Sequence, residues 1–390
     1  MRKFSLLALS LVFLLSACAP NFQKQNEVVQ TKEKVKGKAI VPKYNISDSY
    51  YRTILPFEPG EARGLVVNNI NTRYDLNEFE MGLMRIAQHT FDTDKYLFRE
   101  GQEIKEATIR RWLNREYTKE QFKVLQKDDK ELKASDNIGL NPVDTGKKGE
   151  PSSPIYLAHI LEHDFLIKND NDKVTLGGVS IGLALNSVYY YKKTSDGDTF
   201  EQKIPHSELV REGKKIADEV VKRMRNIKSL KMVPITIALF EQASKSSVVP
   251  GNFITYSTVD KGSATLNNWE NVNEKYYLFP STDAQKDHRD DATKFLNFKQ
   301  DVEGYFPNYN GVIGRALYIG DQLQDMNITI PIQFYGKTEG IGFTQYVTGL
   351  VMEYFPEYLS VSVSVTSVDG PEALIVRKAN ETEPFVYIYQ

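Results

Sequence analysis

The sequence predicts an α+β protein of two tandem degenerate repeats, each a mainly antiparallel sheet packed with helices, behind a lipidated N-terminal tether. Three observations lead there. Segments such as Leu359-Ser360-Val361-Ser362-Val363-Ser364-Val365 alternate apolar with polar residues. That pattern suits strands with one wet or helix-free face and favours α+β sheets over a parallel sheet buried on both sides. The order helix, strand, helix, strand, strand occurs twice along the chain, which implies an internal duplication. Finally, a short apolar run near the start ends on Cys18, the only cysteine.

The 390 residues are 41% hydrophobic and 26% charged, the composition of a folded globular chain with room for one large or two ordinary domains. Lys and Arg number 49 against 51 Asp and Glu, a net charge of −2. No strong global field therefore favours nucleic acid. One cysteine excludes both a disulfide framework and a cysteine-based zinc site.

Arg2 and Lys3 precede an uncharged run from Phe4 to Ala17. That run is too short to span a bilayer comfortably and reads as a signal peptide. Leu15-Ser16-Ala17-Cys18 matches the bacterial lipobox, so residues 1–17 are expected to be cleaved and Cys18 to carry S-diacylglycerol and N-acyl groups. Two acyl chains hold a protein on a membrane, where one binds marginally. Residues 18–50 are polar and read as a flexible tether reaching on the order of 30 Å. The folded body is expected at the extracytoplasmic face, where ATP and NAD chemistry is out of place. No P-loop or G-x-G-x-x-G occurs.

The first repeat is assigned to residues 51–265 and the second to 266–390. Leu76, Phe79, Leu83, Ile86 and Ala87 share one helix face. Residues 106–126 read as one or two amphipathic helices, 139–154 as a loop rich in Pro and Gly, and 155–165 as a short apolar helix. Strands follow at 179–185, running on towards Tyr191, and at 234–240 and 253–259. Between the first two lies a helix with Leu209, Gly213, Ile216, Ala217, Val220 and Met224 on one face, Ser207 as its N-cap and Glu208 in its first turn. An insert at 192–203 enlarges this unit. The second repeat reads as a helix through Phe295, Phe298 and Val302, a strand at 326–334, a helix opened by Thr338 and Glu339 and closed by Pro356, and strands at 359–365, 373–377 and 385–389.

Several motifs suggest chemistry. Gly178-Val179-Ser180-Ile181-Gly182 matches the G-x-S-x-G nucleophile elbow, which requires a strand-to-helix turn. Here the strand simply continues, so Ser180 reads as a strand residue. His159-Ile160-Leu161-Glu162-His163 matches H-x-x-E-H, which on a helix sets two His on one side beside a carboxylate. No third ligand announces itself, and exposed His beside an acid on an amphipathic helix is the simpler reading. Asp92-Thr93-Asp94 and Asp196-Gly197-Asp198 lack the rest of a calcium loop and read as a helix cap and a hairpin turn. Tyr189-Tyr190-Tyr191, Tyr276-Tyr277 and the stretch from Tyr305 to Tyr309 offer aromatic area with a polar handle, suited to sheet packing or to a groove for a peptide or glycan.

The chain resembles the CamS family, the sex-pheromone precursor lipoproteins of Gram-positive bacteria. The segments that carry the resemblance are Tyr51-Arg52-Thr53-Ile54-Leu55-Pro56-Phe57, Ala62-Arg63-Gly64-Leu65, Thr93-Asp94-Lys95-Tyr96-Leu97, Gly139-Leu140-Asn141-Pro142, the stretch from Ile181 to Lys193, Asn273-Glu274-Lys275 and Thr344-Gln345-Tyr346-Val347-Thr348. The resemblance implies that the end of the signal peptide, here Leu11-Val12-Phe13-Leu14-Leu15-Ser16-Ala17, is trimmed to an apolar heptapeptide that a receptor in plasmid-bearing recipients detects. It implies no established chemistry for the mature body. The expected partners are the membrane, through the lipid, that receptor, and a peptide or glycan ligand of a non-catalytic binding or envelope module. No nucleic acid, cofactor, metal or catalytic residue is expected. The competing reading is an extracytoplasmic metal-dependent hydrolase of wall polymer or peptide, centred on His159, Glu162 and His163.

Overall fold

The computed structural model describes residues 26–390, apart from 33–34, 43–45, 48, 129–132, 134–135, 145–152, 170–172, 195, 306–310 and 335. The lipobox, Cys18 and the heptapeptide 11–17 lie outside the described residues, as do 306–310 of the last tyrosine stretch.

Two sheets carry the fold, and they share one topology. The first is built on β4 (Tyr96–Glu100), β5 (Leu157–Lys168), β6 (Lys173–Asn186), β9 (Ile235–Gln242), β10 (Asn252–Val259) and β11 (Trp269–Asn271), adjacent in that order. The second runs β12 (Glu274–Phe279), β13 (Ile313–Ile319), β14 (Gln322–Pro331), β15 (Ser360–Ser367), β16 (Gly370–Arg377) and β17 (Phe385–Ile388). In both, the third and fourth strands are parallel and every other neighbouring pair is antiparallel. The parallel pair needs a helical crossover. The first repeat supplies α5 (His206–Met224), and the second α8 (Lys337–Tyr354). Two helices separate the first and second strands in each repeat: α3 (Glu106–Leu113) and α4 (Lys119–Asp128), then α6 (Thr282–Asp287) and α7 (Arg289–Tyr305). The duplication is therefore a repeated β-αα-β-β-α-β-β-β unit, and the first sheet hands over to the second between Asn271 and Glu274.

The first repeat has additions. A hairpin, β7 (Val188–Lys192) and β8 (Thr199–Lys203), fills the insert in its crossover. At its far edge β3 (Arg52–Thr53) pairs with β4. The polar segment expected as a tether contains β1 (Asn26–Lys32) and β2 (Val35–Val41), an antiparallel hairpin whose first strand touches β6 at Val29↔Lys173 and Gln30↔Val174. Val41 is buried with Ile54, Leu97, Leu166 and Val174. The sheet edge thus supplies backbone partners that composition alone does not reveal.

Before β4 come α1 (Arg63–Asn69) and α2 (Arg73–Ala87). Thr72 caps α2 by accepting a hydrogen bond from Asp75 N at 3.0 Å. The apolar stripe of α2 packs Phe79, Leu83 and Ile86 on Ala184, Ala238, Phe240 and Phe253 of the first sheet. On the opposite face α3 and α5 bury Ile109, Trp112, Leu209, Ile216 and Val220 against Val179, Ile181, Leu183 and Ile237. The first repeat is thus three-layered. The second has two layers, with α7 and α8 covering one face through Phe295, Phe298, Phe343 and Val347.

Three local expectations are corrected. The segment 155–165 is strand β5, not a helix: it is buried along most of its length, so its residues form a continuous apolar run that periodicity cannot separate from a short helix. Ser207 is not the N-cap of α5, because the helix already starts at His206 behind Pro205, and proline favours such helix starts by fixing φ. Asp92-Thr93-Asp94 does not cap a helix but makes a turn into β4, closed by Asp94 N donating to Asp92 Oδ1 at 2.8 Å.

Candidate ligand-binding sites

Strands β6 and β9 end together at Asn186 and Gln242. In open sheets with parallel neighbours, ligands collect outside the carboxyl ends of such strands. A groove of ≈ 750 Å³ lies there, bordered by Asn69 and Asn71 behind α1, by Arg110, Arg111 and Asn114 of the α3 region, and by Asn186, Tyr189, Tyr190 and Lys245. Gln242 ties two of these residues together: its Oε1 accepts from Asn71 N at 2.8 Å and its Nε2 donates to Asn186 Oδ1 at 3.1 Å.

One wall is aromatic. Strand alternation puts Tyr189 and Tyr191 on the same face of the β7–β8 hairpin. Their rings stack at 5.6 Å, and Tyr191 continues onto Phe200 at 5.7 Å. Arg115 braces this ladder, with its guanidinium 5.9 Å from the Tyr189 ring centre and donating to the Tyr189 hydroxyl at 3.2 Å. Tyr190 projects the other way. Its hydroxyl accepts from Lys245 N at 2.9 Å, and the Lys245 ammonium sits 4.4 Å above its ring. Arg110 and Arg111 are ion-paired with Glu106 and Asp136 at 2.5 and 3.0 Å. The groove is therefore lined by two tyrosines, several amides and the Lys245 side chain, with Arg110 and Arg111 neutralised by their carboxylates.

The other tyrosines go elsewhere. Tyr276 is packed between the repeats, donating to Glu78 Oε2 at 2.5 Å, and Tyr277 lies in the second core. Tyr305 packs on Phe343 and Tyr346. Among the described residues the aromatic clusters thus do not converge on one surface, and the groove takes only the first of them.

The second site holds His159, Glu162 and His163. On a strand, His159 and His163 share one face and Glu162 takes the other. His159 meets Phe79 of α2 edge-on at 6.4 Å, and His163 meets Phe98 at 5.0 Å. Glu162 Oε2 accepts from Ile104 N at 3.0 Å and Glu103 N at 3.3 Å. All three are buried, at 1%, 6% and 3% exposure for His159, Glu162 and His163, instead of exposed. Burial lowers His159 to about 4 and His163 to about 3. Burial first, then the nearby Asp164, pushes Glu162 well above the usual carboxylate value. The helical geometry that H-x-x-E-H requires is absent, and among the described residues no group of three His, Cys, Asp or Glu could hold a metal.

Ser180 is likewise a buried strand residue, as its setting in the sequence implied. Its glycines have a packing role: a Cβ on Gly178 would lie 2.2 Å from the Phe91 ring, and one on Gly182 2.7 Å from the Phe79 ring. Asn141, from the loop segment 139–142, was given no role by sequence reasoning. It is 1% exposed, and its side chain donates to Leu113 O and Leu157 O and accepts from Leu157 N, all within 2.9 Å, tying the end of α3 to the start of β5. An Asn-Pro pair in a loop was the available signal.

No helix among the described residues is long and apolar enough to cross a membrane. No curated protein matches the sequence. The family model described as CamS sex pheromone cAM373 precursor matches residues 57–383. The crystal structure of a sex pheromone precursor from Lactobacillus salivarius subsp. salivarius UCC118 is 31% identical, with a TM-score of 0.80 over 90% of this chain and 99% of that one. The C-terminal domain of the sex pheromone staph-cAM373 precursor from Staphylococcus aureus is 36% identical, with a TM-score of 0.72 over 83% of this chain and 98% of that one. With the family match running from just after β3 almost to the last strand, and two solved relatives sharing the fold, the chain belongs to the CamS sex pheromone precursor family.

Proposed function

We propose that this protein is a lipid-anchored precursor with two products: an apolar heptapeptide, residues 11–17, released from its leader, and a non-catalytic extracytoplasmic binding module held on the membrane through Cys18. The observation that carries the reading is the family match over residues 57–383 behind Leu15-Ser16-Ala17-Cys18. The peptide has no side-chain charge, so it can cross a bilayer and enter an apolar receptor pocket in a recipient cell. The module binds an extended peptide or glycan in the groove beside Tyr189 and Tyr190. Flat aromatic faces with polar edges suit either ligand, since they give contact area at low conformational cost.

The test of anchoring is Cys18→Ser. Loss of membrane retention with accumulation of uncleaved precursor is expected, and unchanged fractionation refutes lipidation. A synthetic heptamer of residues 11–17 should induce aggregation or transfer in plasmid-bearing recipients, and silence across recipients removes the pheromone role. For the groove, the pair Tyr189→Ala and Tyr191→Ala should abolish co-sedimentation with cell-wall fragments while thermal melting still shows a folded body. Undiminished sedimentation rules the groove out.

A further inference from the structure

Strand β4 stops at Glu100, its last pairing being with His163, while β5 extends beyond it. The notch left at the sheet edge is roofed by α2 on one side and faces the start of α3 on the other. A cavity of ≈ 100 Å³ occupies it, with apolar walls that include Met81, Met84, Phe98, Ile104 and Leu161. His159, Glu162 and His163 all line it. Nδ1 of each imidazole and Oε1 of the carboxyl are buried, and they have no hydrogen-bond partner among the described residues.

Buried polar atoms in a native fold are nearly always paired, and each unpaired one costs about 1–3 kcal/mol. Three such atoms, on three more-than-nine-tenths-buried residues that line one cavity, are too costly to be packing residue alone. Gly101 shows how closely the notch is built: a Cβ there would lie 2.4 Å from Glu162 Cβ. Burial lowers His159 to about 4 and His163 to about 3, so both imidazoles are neutral at pH 7, and burial raises the Glu162 carboxyl well above its ordinary value. An anionic ligand would be stripped of water with no imidazolium to meet it. Arg63 and Glu100, which also line it, pair with each other at 3.2 Å.

We propose that this notch is a binding site for an uncharged single-ring molecule bearing a hydroxyl or amide group, its ring against the methionine and phenylalanine wall and its polar group on His159 and His163. Size limits the ligand to one ring at most, because the cavity of ≈ 100 Å³ is smaller than the engineered apolar cavity of about 150 Å³ that holds one benzene. The imidazoles set the polar group: a neutral imidazole nitrogen accepts from a hydroxyl or an amide N–H. This site is separate from the groove at the carboxyl ends of β6 and β9, and each can fail without the other.

The test uses the full chain labelled with ¹⁵N-histidine, titrated with phenol, toluene and benzoate and followed by side-chain nitrogen NMR. Phenol is expected to shift the Nδ1 signals of His159 and His163 saturably, with toluene at least tenfold weaker and benzoate silent. His159→Phe and His163→Phe should each erase the preference for phenol over toluene. Met84→Trp, which fills the cavity from the helix side without touching the histidines, should abolish binding of both rings and covers the case in which a histidine variant does not fold. Unmoved Nδ1 signals at saturating phenol, or equal affinity for phenol and toluene, overturn the proposal and leave the cavity to water.

Discussion

His163 shows how far a residue's surroundings outweigh its motif. Its spacing to His159 and Glu162 matches a metal-binding motif and reads more simply as an exposed helix face, yet the backbone is extended and the ring is packed edge-on to Phe98 with Nδ1 unpaired among the described residues. The consequence for stability has a definite sign. An unfolded histidine titrates near its ordinary 6.5, whereas burial lowers His163 to about 3 and His159 to about 4. The unfolded chain therefore takes up these protons first. The contribution of both residues to stability is complete above pH 6.5 and is lost as pH falls towards the folded values. Glu162 runs the opposite way: burial raises it, so its contribution is complete below 4.5 and erodes as pH rises. His163→Phe keeps the ring and removes the unpaired nitrogen. It should raise unfolding free energy by about 1–3 kcal/mol at pH 7 and flatten the decline between pH 6.5 and 5. Urea titrations at the two pH values check both. The sequence supplied the residue cluster but not its meaning, because H-x-x-E-H specifies spacing and says nothing of backbone conformation.

Among the elements, β6 makes the clearest case. Gly178, Ser180, Gly182 and Ala184 form a strip of small side chains along one face of a buried strand. Phe79 and Phe91 lie on the two glycines, so the G-x-S-x-G pattern here is a packing track for rings rather than a nucleophile turn. Gly182→Val would drive a branched side chain into Phe79 and should destabilise the chain by about 1–3 kcal/mol, read as a lower denaturation midpoint with the m-value unchanged. Helices with a clear stripe were legible: Phe79, Leu83 and Ile86 in α2, and the apolar face of α5. So were strands with alternating burial, such as β15. The double-buried β5 was not, since it lacks alternation. Nor were the short edge strands β3 and β11, whose pairing depends on neighbours distant in sequence rather than on their own propensity.

At the scale of the molecule, α2 joins the two repeats. One face packs on the first sheet. The other carries Tyr74, Glu78 and Arg85 towards β12 and β13 of the second. Arg85 donates to Glu274 through Nε at 2.9 Å and Nη2 at 2.5 Å, and to Glu78 at 2.5 Å, while Tyr276 donates to Glu78. Arg315 lies 4.4 Å over the Tyr74 ring. Both carboxylates are 7% exposed in their side chains, so Arg85→Ala would leave two buried acids without their cation. A loss of about 3–5 kcal/mol is expected. With the link gone, calorimetry should resolve two unfolding transitions where the parent shows one, and a single undiminished transition would mean that the repeats couple elsewhere. Sequence alone determined the two-repeat plan and most elements carrying a 3.6- or 2-residue period, because each is written in local order along the chain. Tertiary structure decided the rest: which tyrosines meet in a groove, that the histidines face a cavity from a strand, and that one helix serves both repeats. Those features arise from residues brought together from far apart in sequence, and no local pattern records such meetings.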